Sequence, residues 1–435
     1  MGEKIYGLLG RKLGHSWSAP IHKALGCDSY RMIELEPERL GDFLRQEDIG
    51  GLNVTMPYKR DVMPFCDVIN EGAQAIGSVN TLVRRGGKLY GYNTDIDGFL
   101  YMLRRADISL AGKKVLILGS GGASLTAQAA AKREGAKKIT VVSRSGKDNY
   151  ENLAERHMGA EVLINTTPVG MWPNMSGRPV DLALFSCMTA VADVIYNPVR
   201  TELLLQAEEI DRDYHRMSDA PRDVLINAGL RPIRYTGGLP MLVAQAKRAE
   251  ELFFDKAIPD GETENIVTQL WQDRTNLVLV GMPGCGKTAV GQALAQLSGR
   301  PLVDLDGEIV KRAGRPIPEM FAQEGEEAFR KLEAQTLVEV CAQGGQVVAT
   351  GGGAVLRADN RAALRRTGRV YFLRRDLDLL PTEGRPLSQA GSLEEMYRAR
   401  RPLYKAAADM VIDNGGVQEQ TAQLIWRDFC ASNGD

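Results

Sequence analysis

The chain has 435 residues and a formal net charge of −1; 44% of its residues are hydrophobic and 25% are charged. These values predict two or three globular domains and argue against a nucleic-acid-binding protein, which would carry a basic face. The apolar runs are too short to span a bilayer, we expect no secretory signal at the start, and six dispersed cysteines predict reduced thiols in a cytoplasmic protein.

Four short motifs of polar residues occur in the first hundred residues. They are Gly14–His22, Gly51–Lys59, Ala75–Leu82 and Gly91–Gly98. Each motif alone is typical of an ordinary turn or helix cap, and a lone lysine is usually a surface residue. In combination, the motifs bring a lysine, an aspartate, two asparagines and a threonine into one small domain, mostly at the ends of predicted strands.

A cofactor domain is expected to begin near residue 101, with a strand at Val115–Leu118, a glycine turn and an alanine-rich helix. Strand, glycine turn and helix form the unit of parallel α/β sheets. The turn departs from the full dinucleotide-binding pattern because Ser124 replaces the last glycine. The next strand, Ile139–Val142, is followed by Arg144, and an arginine there favours the 2′-phosphate of NADP over the ribose 2′-hydroxyl of NAD.

Segment lengths lead to three further expectations. Between Arg144 and Asn165 there is room for one short helix and one strand, which predicts a trimmed cofactor sheet. The long polar segment 208–234 predicts a surface excursion or an added helix. The boundary between the two halves of the chain is expected within residues 256–275, with a short amphipathic helix at Asn265–Gln272 that ends the first half.

A second unit of strand, glycine turn and helix begins at Asn276. Its turn, Gly281–Thr288, has the phosphate-loop pattern of two glycines separated by four residues, then Lys287 and Thr288. In this pattern backbone N–H groups wrap the phosphates, the lysine reaches the β and γ phosphates, and the hydroxyl ligates Mg²⁺. The sequence therefore predicts an ATP and Mg²⁺ site in a second nucleotide-binding domain.

Several segments after the phosphate loop contain arginines, glycines and acidic residues. Arginines can hold a carboxylate through two parallel hydrogen bonds, and glycines allow the backbone to approach a ligand closely. Each arginine alone is more often a solvated surface charge, but their joint spacing argues for a site. The segments concerned are Val303–Asp306, Gly325–Arg330, Thr350–Gly353, Gly384–Leu387 and Arg400–Tyr404.

Residues 1–272 resemble the shikimate dehydrogenase family in the four polar motifs and in Asn165–Met171, Asp193–Pro198 and Gly237–Gln245. Residues 276–430 resemble the shikimate kinase family in the phosphate loop and the segments that follow it. The two resemblances imply NADPH-dependent reduction of 3-dehydroshikimate to shikimate, then ATP-dependent phosphorylation of the 3-hydroxyl of shikimate. Because the product of one reaction is the substrate of the other, the two resemblances support each other.

The fold class that the resemblance implies is α/β throughout. A two-domain dehydrogenase half would combine an α/β substrate domain, residues 1–100 plus 238–272, with a Rossmann NADP-binding domain, residues 101–237. A P-loop kinase domain with a parallel sheet would follow at residues 273–435.

For the dehydrogenase half, the resemblance makes Lys59 the general acid/base, hydrogen-bonded with Asp95. The residues implied in binding the substrate are Ser16, Ser18, Thr55, Asn80, Asp95, Tyr196 and Gln245. The residues implied in binding NADP(H) are Glu71, Gly119, Ser120, Gly121, Gly122, Ala123, Ser143, Arg144, Ile195 and Gly238.

For the kinase half, the resemblance makes Lys287 and Asp306 catalytic, and Asp306 orients the acceptor hydroxyl and accepts its proton. Thr288 and Asp304 would hold Mg²⁺. The residues implied in binding ATP are Gly284, Cys285, Gly286, Lys287, Thr288, Ala289 and Arg385, the last on a lid that is shorter than usual. The residues implied in binding shikimate are Asp306, Arg330, Gly352, Gly353 and Arg400.

Two alternatives stay open at this stage. The first is a quinate/shikimate dehydrogenase that uses NAD, against which Arg144 argues. The second is a catalytically inactive binding module in one half, against which the retained Lys59, Asp95, Lys287 and Arg330 argue.

Overall fold

The computed structural model describes residues 4–14, 16–217, 219–221, 224–225, 228–380 and 393–432. The chain divides into two compact units, one of residues 1–196 and 206–267 and the other of residues 197–205 and 268–435. Among the described residues, no helix is long and apolar enough to cross a membrane.

The first unit begins with a six-stranded mixed sheet in the order β2-β1-β3-β5-β6-β4. Strand β3 is parallel to β1 and antiparallel to β5, and all six of its residues are buried. Its strands are β1 Ile5–Gly10, β2 Tyr30–Glu34, β3 Ile49–Val54, β4 Val68–Ile69, β5 Thr81–Arg85 and β6 Lys88–Tyr92. The helices of this segment are α1 Ser18–Ala24, α2 Leu40–Leu44, α3 Glu71–Ile76 and α4 Asp95–Arg105.

A five-stranded parallel sheet follows, in the order β11-β10-β9-β7-β8. Because β7 has β8 on one side and β9 on the other, the strand order reverses at β7, and ligands of such sheets bind beyond the carboxyl ends of the strands at this reversal. The strands are β7 Lys114–Leu118, β8 Lys138–Val142, β9 Val162–Asn165, β10 Ala190–Asp193 and β11 Arg234–Thr236. The helices are α5 Gly122–Arg133, α6 Leu153–His157, α7 Glu202–Arg216, α8 Leu239–Phe254 and α9 Asp260–Arg274.

The expectations from segment length have different outcomes. Between Arg144 and Asn165 lie only α6 and β9, so one short helix and one strand are present as predicted. Helix α7 covers the start of the 208–234 segment, but residues 218, 222–223 and 226–227 lie outside the described part of the chain. The surface excursion therefore stays a prediction.

The helix predicted at 265–272 is longer than expected, which corrects the sequence interpretation. Helix α9 begins at Asp260, before the predicted start at Asn265. Pro259 precedes the helix, and Asp260 and Glu262 lie in its first turn, where negative charge stabilises the positive end of the helix dipole. The division between the two compact units falls within this helix, after Val267.

The second unit contains a five-stranded parallel sheet in the order β13-β14-β12-β15-β16. The central strand β12 is fully buried and leads directly into the phosphate loop. The strands are β12 Asn276–Val280, β13 Leu302–Asp304, β14 Val347–Ala349, β15 Gly368–Arg374 and β16 Met410–Asp413. The helices are α10 Lys287–Ser298, α11 Leu305–Ala313, α12 Ile317–Gln343 with a kink at Gly325, α13 Ala358–Thr367, α14 Leu393–Ala407 and α15 Gln418–Ala431.

Candidate active sites

A polar cavity of about 270 Å³ lies in the first unit. It contains all the side chains that the sequence assigned to catalysis and to the substrate in this half, although they come from distant parts of the chain. These are Ser16, Ser18, Thr55, Lys59, Asn80, Asp95, Tyr196 and Gln245. Two residues assigned to the cofactor, Ala123 and Gly238, also line it, so substrate and cofactor positions meet at one cavity.

Lys59 and Asp95, which both line this cavity, form an ion pair. The Lys59 Nζ atom donates to Asp95 Oδ2 at 2.6 Å, and both side chains are largely buried, with 28% and 17% exposed. The other oxygen, Asp95 Oδ1, accepts from Asn80 Nδ2 at 2.9 Å. Asp95 is also the first residue of α4, where the helix dipole favours a negative charge. The carboxylate is thus fixed on both oxygens and holds the ammonium group in one place.

Asn80 is itself held in one orientation by its neighbours. Its Oδ1 atom accepts from the backbone N–H of Thr94 at 2.7 Å and from the hydroxyl of Thr81 at 3.0 Å. Asn80, Thr81 and Thr94 are all buried. Since the amide oxygen is committed to these donors, the amide nitrogen must face Asp95, which rigidifies the Lys59–Asp95 pair.

Two serines form another polar part of the cavity lining. The hydroxyl of Ser16 donates to the Ser18 hydroxyl at 3.0 Å and accepts from the Ser18 backbone N–H at 3.2 Å. The two hydroxyls therefore lie next to each other in the cavity lining. Burial raises the pKa of Tyr196, so its phenol stays protonated at neutral pH. The amide of Gln245 donates to the Leu242 carbonyl at 2.9 Å, a contact that the sequence did not predict.

The cofactor side fits a dinucleotide phosphate. A Cβ atom at Gly121 or Gly122 would meet no atom within 4 Å, so the turn before α5 is open where a pyrophosphate would lie against the helix N-terminus. A Cβ at Gly238 would lie 2.1 Å from the Val194 carbonyl oxygen, which explains the glycine there. Arg144 is exposed after β8, available to a 2′-phosphate. Glu71 lies in the first turn of α3 and does not line the cavity.

In the second unit, the phosphate loop joins β12 to α10. Lys287 is buried, and its Nζ atom donates to the carbonyl oxygens of Gly281 at 2.9 Å and Met282 at 3.0 Å. The hydroxyl of Thr288 donates to Asp304 Oδ2 at 2.8 Å. Thr288 and Asp304 thus lie side by side, and with phosphate oxygens this donor set suits Mg²⁺, which usually takes one or two carboxylates and keeps several waters.

Asp306 lies beside this loop and is half-buried. Burial raises the pKa of Asp306, and the nearby Asp304 raises it further, while Lys287 and Arg330 oppose these effects. A Cβ at Gly351 would lie 2.6 Å from Asp306 Oδ1, so no side chain fits there. The carboxyl group of Asp306 therefore packs directly against the backbone of Gly351.

Two arginines lie on the acceptor side of the kinase site. Arg330 is buried and donates to Glu333 Oε2 at 2.9 Å and Glu326 Oε1 at 3.0 Å. Arg400 donates to the Gly352 carbonyl oxygen at 3.3 Å, and Tyr404 donates to the same oxygen at 2.6 Å. A Cβ at Gly353 would lie 2.4 Å from Arg330 Nη1. Arg385 lies outside the described residues, so its assignment to ATP stays a prediction.

Sequence reasoning missed several residues of both sites. Asn53 and Met241 line the dehydrogenase cavity, and Asn53 lies within a motif from which only Thr55 and Lys59 were selected. Glu333 is buried beside Arg330, and burial raises its pKa. Its position three residues after Arg330 on α12 is the spacing of a helical ion pair, and this signal could have found it.

Comparisons with known proteins follow the same division of the chain. The family model "Shikimate dehydrogenase substrate binding domain" matches residues 8–82, and the model "Shikimate kinase" matches residues 283–429. A shikimate dehydrogenase (NADP(+)) of Clostridium beijerinckii is 34% identical over 283 residues, which cover 60% of this chain and 96% of that protein. The chain belongs to the shikimate dehydrogenase family. It also carries a C-terminal shikimate kinase domain.

Solved structures show the same likeness. A chorismate mutase/shikimate 5-dehydrogenase fusion protein from Clostridium acetobutylicum is 34% identical, with a TM-score of 0.53 over 61% of this chain and 96% of that chain. A shikimate dehydrogenase in complex with NADP+ is 26% identical, with a TM-score of 0.50 over 60% of this chain and 94% of that one. The dehydrogenase family fold therefore accounts for three-fifths of the chain, and the kinase domain lies beyond it.

Proposed function

We propose that the chain is a bifunctional enzyme of the shikimate pathway. Its first site reduces 3-dehydroshikimate to shikimate with NADPH, and its second site transfers the γ-phosphoryl group of ATP to the 3-hydroxyl of shikimate. The observation that carries the proposal is the Lys59–Asp95 pair, which lies in one cavity with every substrate residue assigned to this half. The kinase domain, with Lys287, Asp306 and Arg330 around one loop, supports the second step.

In the dehydrogenase step, NADPH supplies the hydride when bound. Lys59 donates a proton to the reacting oxygen as negative charge develops there, and it takes the proton back in the reverse direction. Asp95 holds the lysine in place through its 2.6 Å contact. Ser16 and Ser18 bind the substrate carboxylate, while Asn80, Thr55, Tyr196 and Gln245 bind its hydroxyls.

In the kinase step, Mg²⁺ held by Thr288 and Asp304 would neutralise charge on the β and γ phosphates when bound. Lys287 leaves the loop carbonyls to contact these phosphates. Arg330 and Arg400 bind the carboxylate of shikimate. Asp306 accepts a hydrogen bond from the reacting hydroxyl and takes its proton, a role that its raised pKa and its position beside Gly351 favour.

We assign residues 1–100 and 238–272 to the substrate domain, residues 101–237 to the NADP domain and residues 273–435 to the kinase domain. The three sheets of the structure lie within these ranges, at 5–92, 114–236 and 276–413. We also infer that the enzyme acts in the cytoplasm on small-molecule substrates and not on a nucleic acid or a membrane. Its six cysteines, all free of disulfides, support a reducing compartment.

A paired assay on the purified chain tests the proposal. NADPH consumption is followed with 3-dehydroshikimate, and ADP formation is followed with shikimate. Both reactions should proceed; a silent half would show that this half is a binding module. Lys59→Ala should silence the first reaction alone and Lys287→Ala the second alone, and turnover faster with NAD than with NADP would favour the quinate/shikimate alternative.

A further inference from the structure

A fully buried hydrogen bond joins two helices beside the dehydrogenase cavity. His22 on α1 and Glu250 on α8 are both 0% exposed, and His22 Nδ1 lies 2.5 Å from Glu250 Oε1. Among the described residues, neither His22 Nε2 nor Glu250 Oε2 has a hydrogen-bond partner of normal geometry. The contact between Nδ1 and Oε1 is therefore the main polar interaction of both groups, and burying such groups without it would be costly.

Both helices of this pair carry residues of the cavity. Ser18 is four residues before His22 on α1, so the two side chains lie on the same face of the helix one turn apart. Gln245 lies on α8 together with Glu250. Both Ser18 and Gln245 line the cavity. A bond between His22 and Glu250 thus sets the distance between two walls of the substrate site.

His22 is also connected to a third wall of the cavity, through a ring that stacks on its imidazole. The imidazole of His22 lies parallel to the ring of Tyr30, with centroids 3.8 Å apart and an interplanar angle of 5°. The Tyr30 hydroxyl donates to Asn53 Oδ1 at 2.8 Å, in a buried position. Asn53 lines the cavity. Since the amide oxygen is held by Tyr30, the amide nitrogen of Asn53 is left to face other partners.

The histidine in this arrangement is neutral. Burial lowers the pKa of His22, an effect that exceeds the opposing influence of Glu250 and Asn53. A neutral imidazole has one N–H group, and the 2.5 Å contact places it on Nδ1, where it donates to the Glu250 carboxylate. The contact is therefore a directional hydrogen bond, which fixes the ring plane as well as the helix spacing.

We propose that His22 and Glu250 form a positioning clamp for the dehydrogenase site, which sets the placement of Ser18, Gln245 and Asn53 around the acid substrate. The clamp touches neither substrate nor cofactor, so both residues act through others. This inference rests on the proposed shikimate dehydrogenase activity. It predicts that loss of the clamp weakens binding of shikimate and leaves binding of NADP+ at its separate wall unchanged.

The test compares steady-state kinetics of shikimate oxidation in variants of the full chain. Glu250→Leu removes the acceptor and should raise the KM for shikimate about tenfold, with the KM for NADP+ changed by less than about twofold. Glu250→Gln keeps an acceptor oxygen for the Nδ1–H group and should restore a KM near that of the wild type. Kinase activity of each variant reports on the integrity of the rest of the chain.

A matched control separates positioning from packing. Leu44, 2% exposed, belongs to the core of the same unit and does not line the cavity, so Leu44→Ala should lower the Tm without changing either KM. The double variant His22→Phe/Glu250→Leu replaces the pair by apolar side chains, which preserves folding if Glu250→Leu alone does not fold. It should still show the raised KM for shikimate.

The outcomes are distinct. Absence of shikimate oxidation in the wild type would overturn the proposed function itself. Normal wild-type activity, with an unchanged shikimate KM in both Glu250→Leu and the double variant, would overturn the clamp alone. The clamp would also be overturned if the KM values for shikimate and NADP+ rose together, and rose as much in Leu44→Ala as in the clamp variants at equal Tm. The pair would then be a purely structural contact.

Discussion

The lysines of the two sites are held in different ways. In the dehydrogenase cavity, Lys59 already contacts Asp95, and Asn80 fixes that carboxylate from the other side. In the kinase loop, Lys287 donates to two carbonyl oxygens of its own loop, and Arg330 is paired with Glu333 and Glu326. The first site is preorganised for proton transfer, whereas groups of the second site must exchange protein partners for ligand oxygens. Breaking one contact should therefore affect the two sites differently.

Removal of Mg²⁺ should produce the largest difference between the two activities. Because the metal position proposed at Thr288 and Asp304 lies in the kinase unit, chelation with EDTA should lower phosphorylation of shikimate by more than about 10³-fold. Shikimate oxidation, which uses no metal in this account, should be unchanged. Added Mg²⁺ should restore the kinase, and a matching loss of dehydrogenase activity would contradict the separation.

Lys59→Ala should give the next largest effect. The variant loses the proton donor of the dehydrogenase site, so kcat for shikimate oxidation should fall by about 10²- to 10⁴-fold. ADP formation with shikimate should stay within about twofold of the wild type. Lys88→Ala, at an exposed strand position of the same unit, is the control and should change neither rate. Substantial remaining turnover in Lys59→Ala would assign the proton to another group.

Glu333→Ala tests the paired arginine of the kinase. Glu333 is 1% exposed, and its loss leaves Arg330 with Glu326, which is 54% exposed. Removing one partner of a buried pair is strongly destabilising, by about 3–5 kcal/mol, so the Tm of the kinase unit should fall and the KM for shikimate phosphorylation should rise about tenfold. Glu339→Ala, a substitution on the same helix, removes an exposed ion pair and should change neither value. If Glu333→Ala and Glu339→Ala changed the Tm and the KM equally, burial of the Arg330–Glu333 pair would be unimportant.

Arg144→Ala should have the smallest effect of the four. It removes a charge-assisted contact with the 2′-phosphate, so the KM for NADP+ should rise about tenfold while the KM for NAD+ stays the same. Arg178→Ala, which removes an exposed pair with Asp181 in the same domain, serves as the control. An equal change for both cofactors would place the 2′-phosphate elsewhere.

The sequence predicted the components of both sites better than their contacts. Short motifs identified Lys59, Asp95 and Asn80 because strands and turns keep such residues at the same edge of a sheet. No motif indicates that Lys287 donates to loop carbonyls, since this depends on the conformation of one side chain.

The sequence interpretation also missed contacts between residues that are far apart in the chain. His22 and Glu250 are 228 residues apart, and only the packing of α1 against α8 brings them together. Helix α9 was underestimated because its charged first turns have little hydrophobic periodicity, although the acids there stabilise the start of a helix. Composition and periodicity report on local structure, and neither contains information about such tertiary contacts.

The most direct test of the central claim is a combined reaction on the purified chain. It contains 3-dehydroshikimate, NADPH, ATP and Mg²⁺, without added shikimate, and NADP+ and ADP are measured together. Two working sites predict that ADP appears after NADP+ and approaches one equivalent of it, and that omission of NADPH abolishes both. NADPH oxidation without ADP, or ADP formation without NADPH, would contradict the account of two consecutive reactions on one chain.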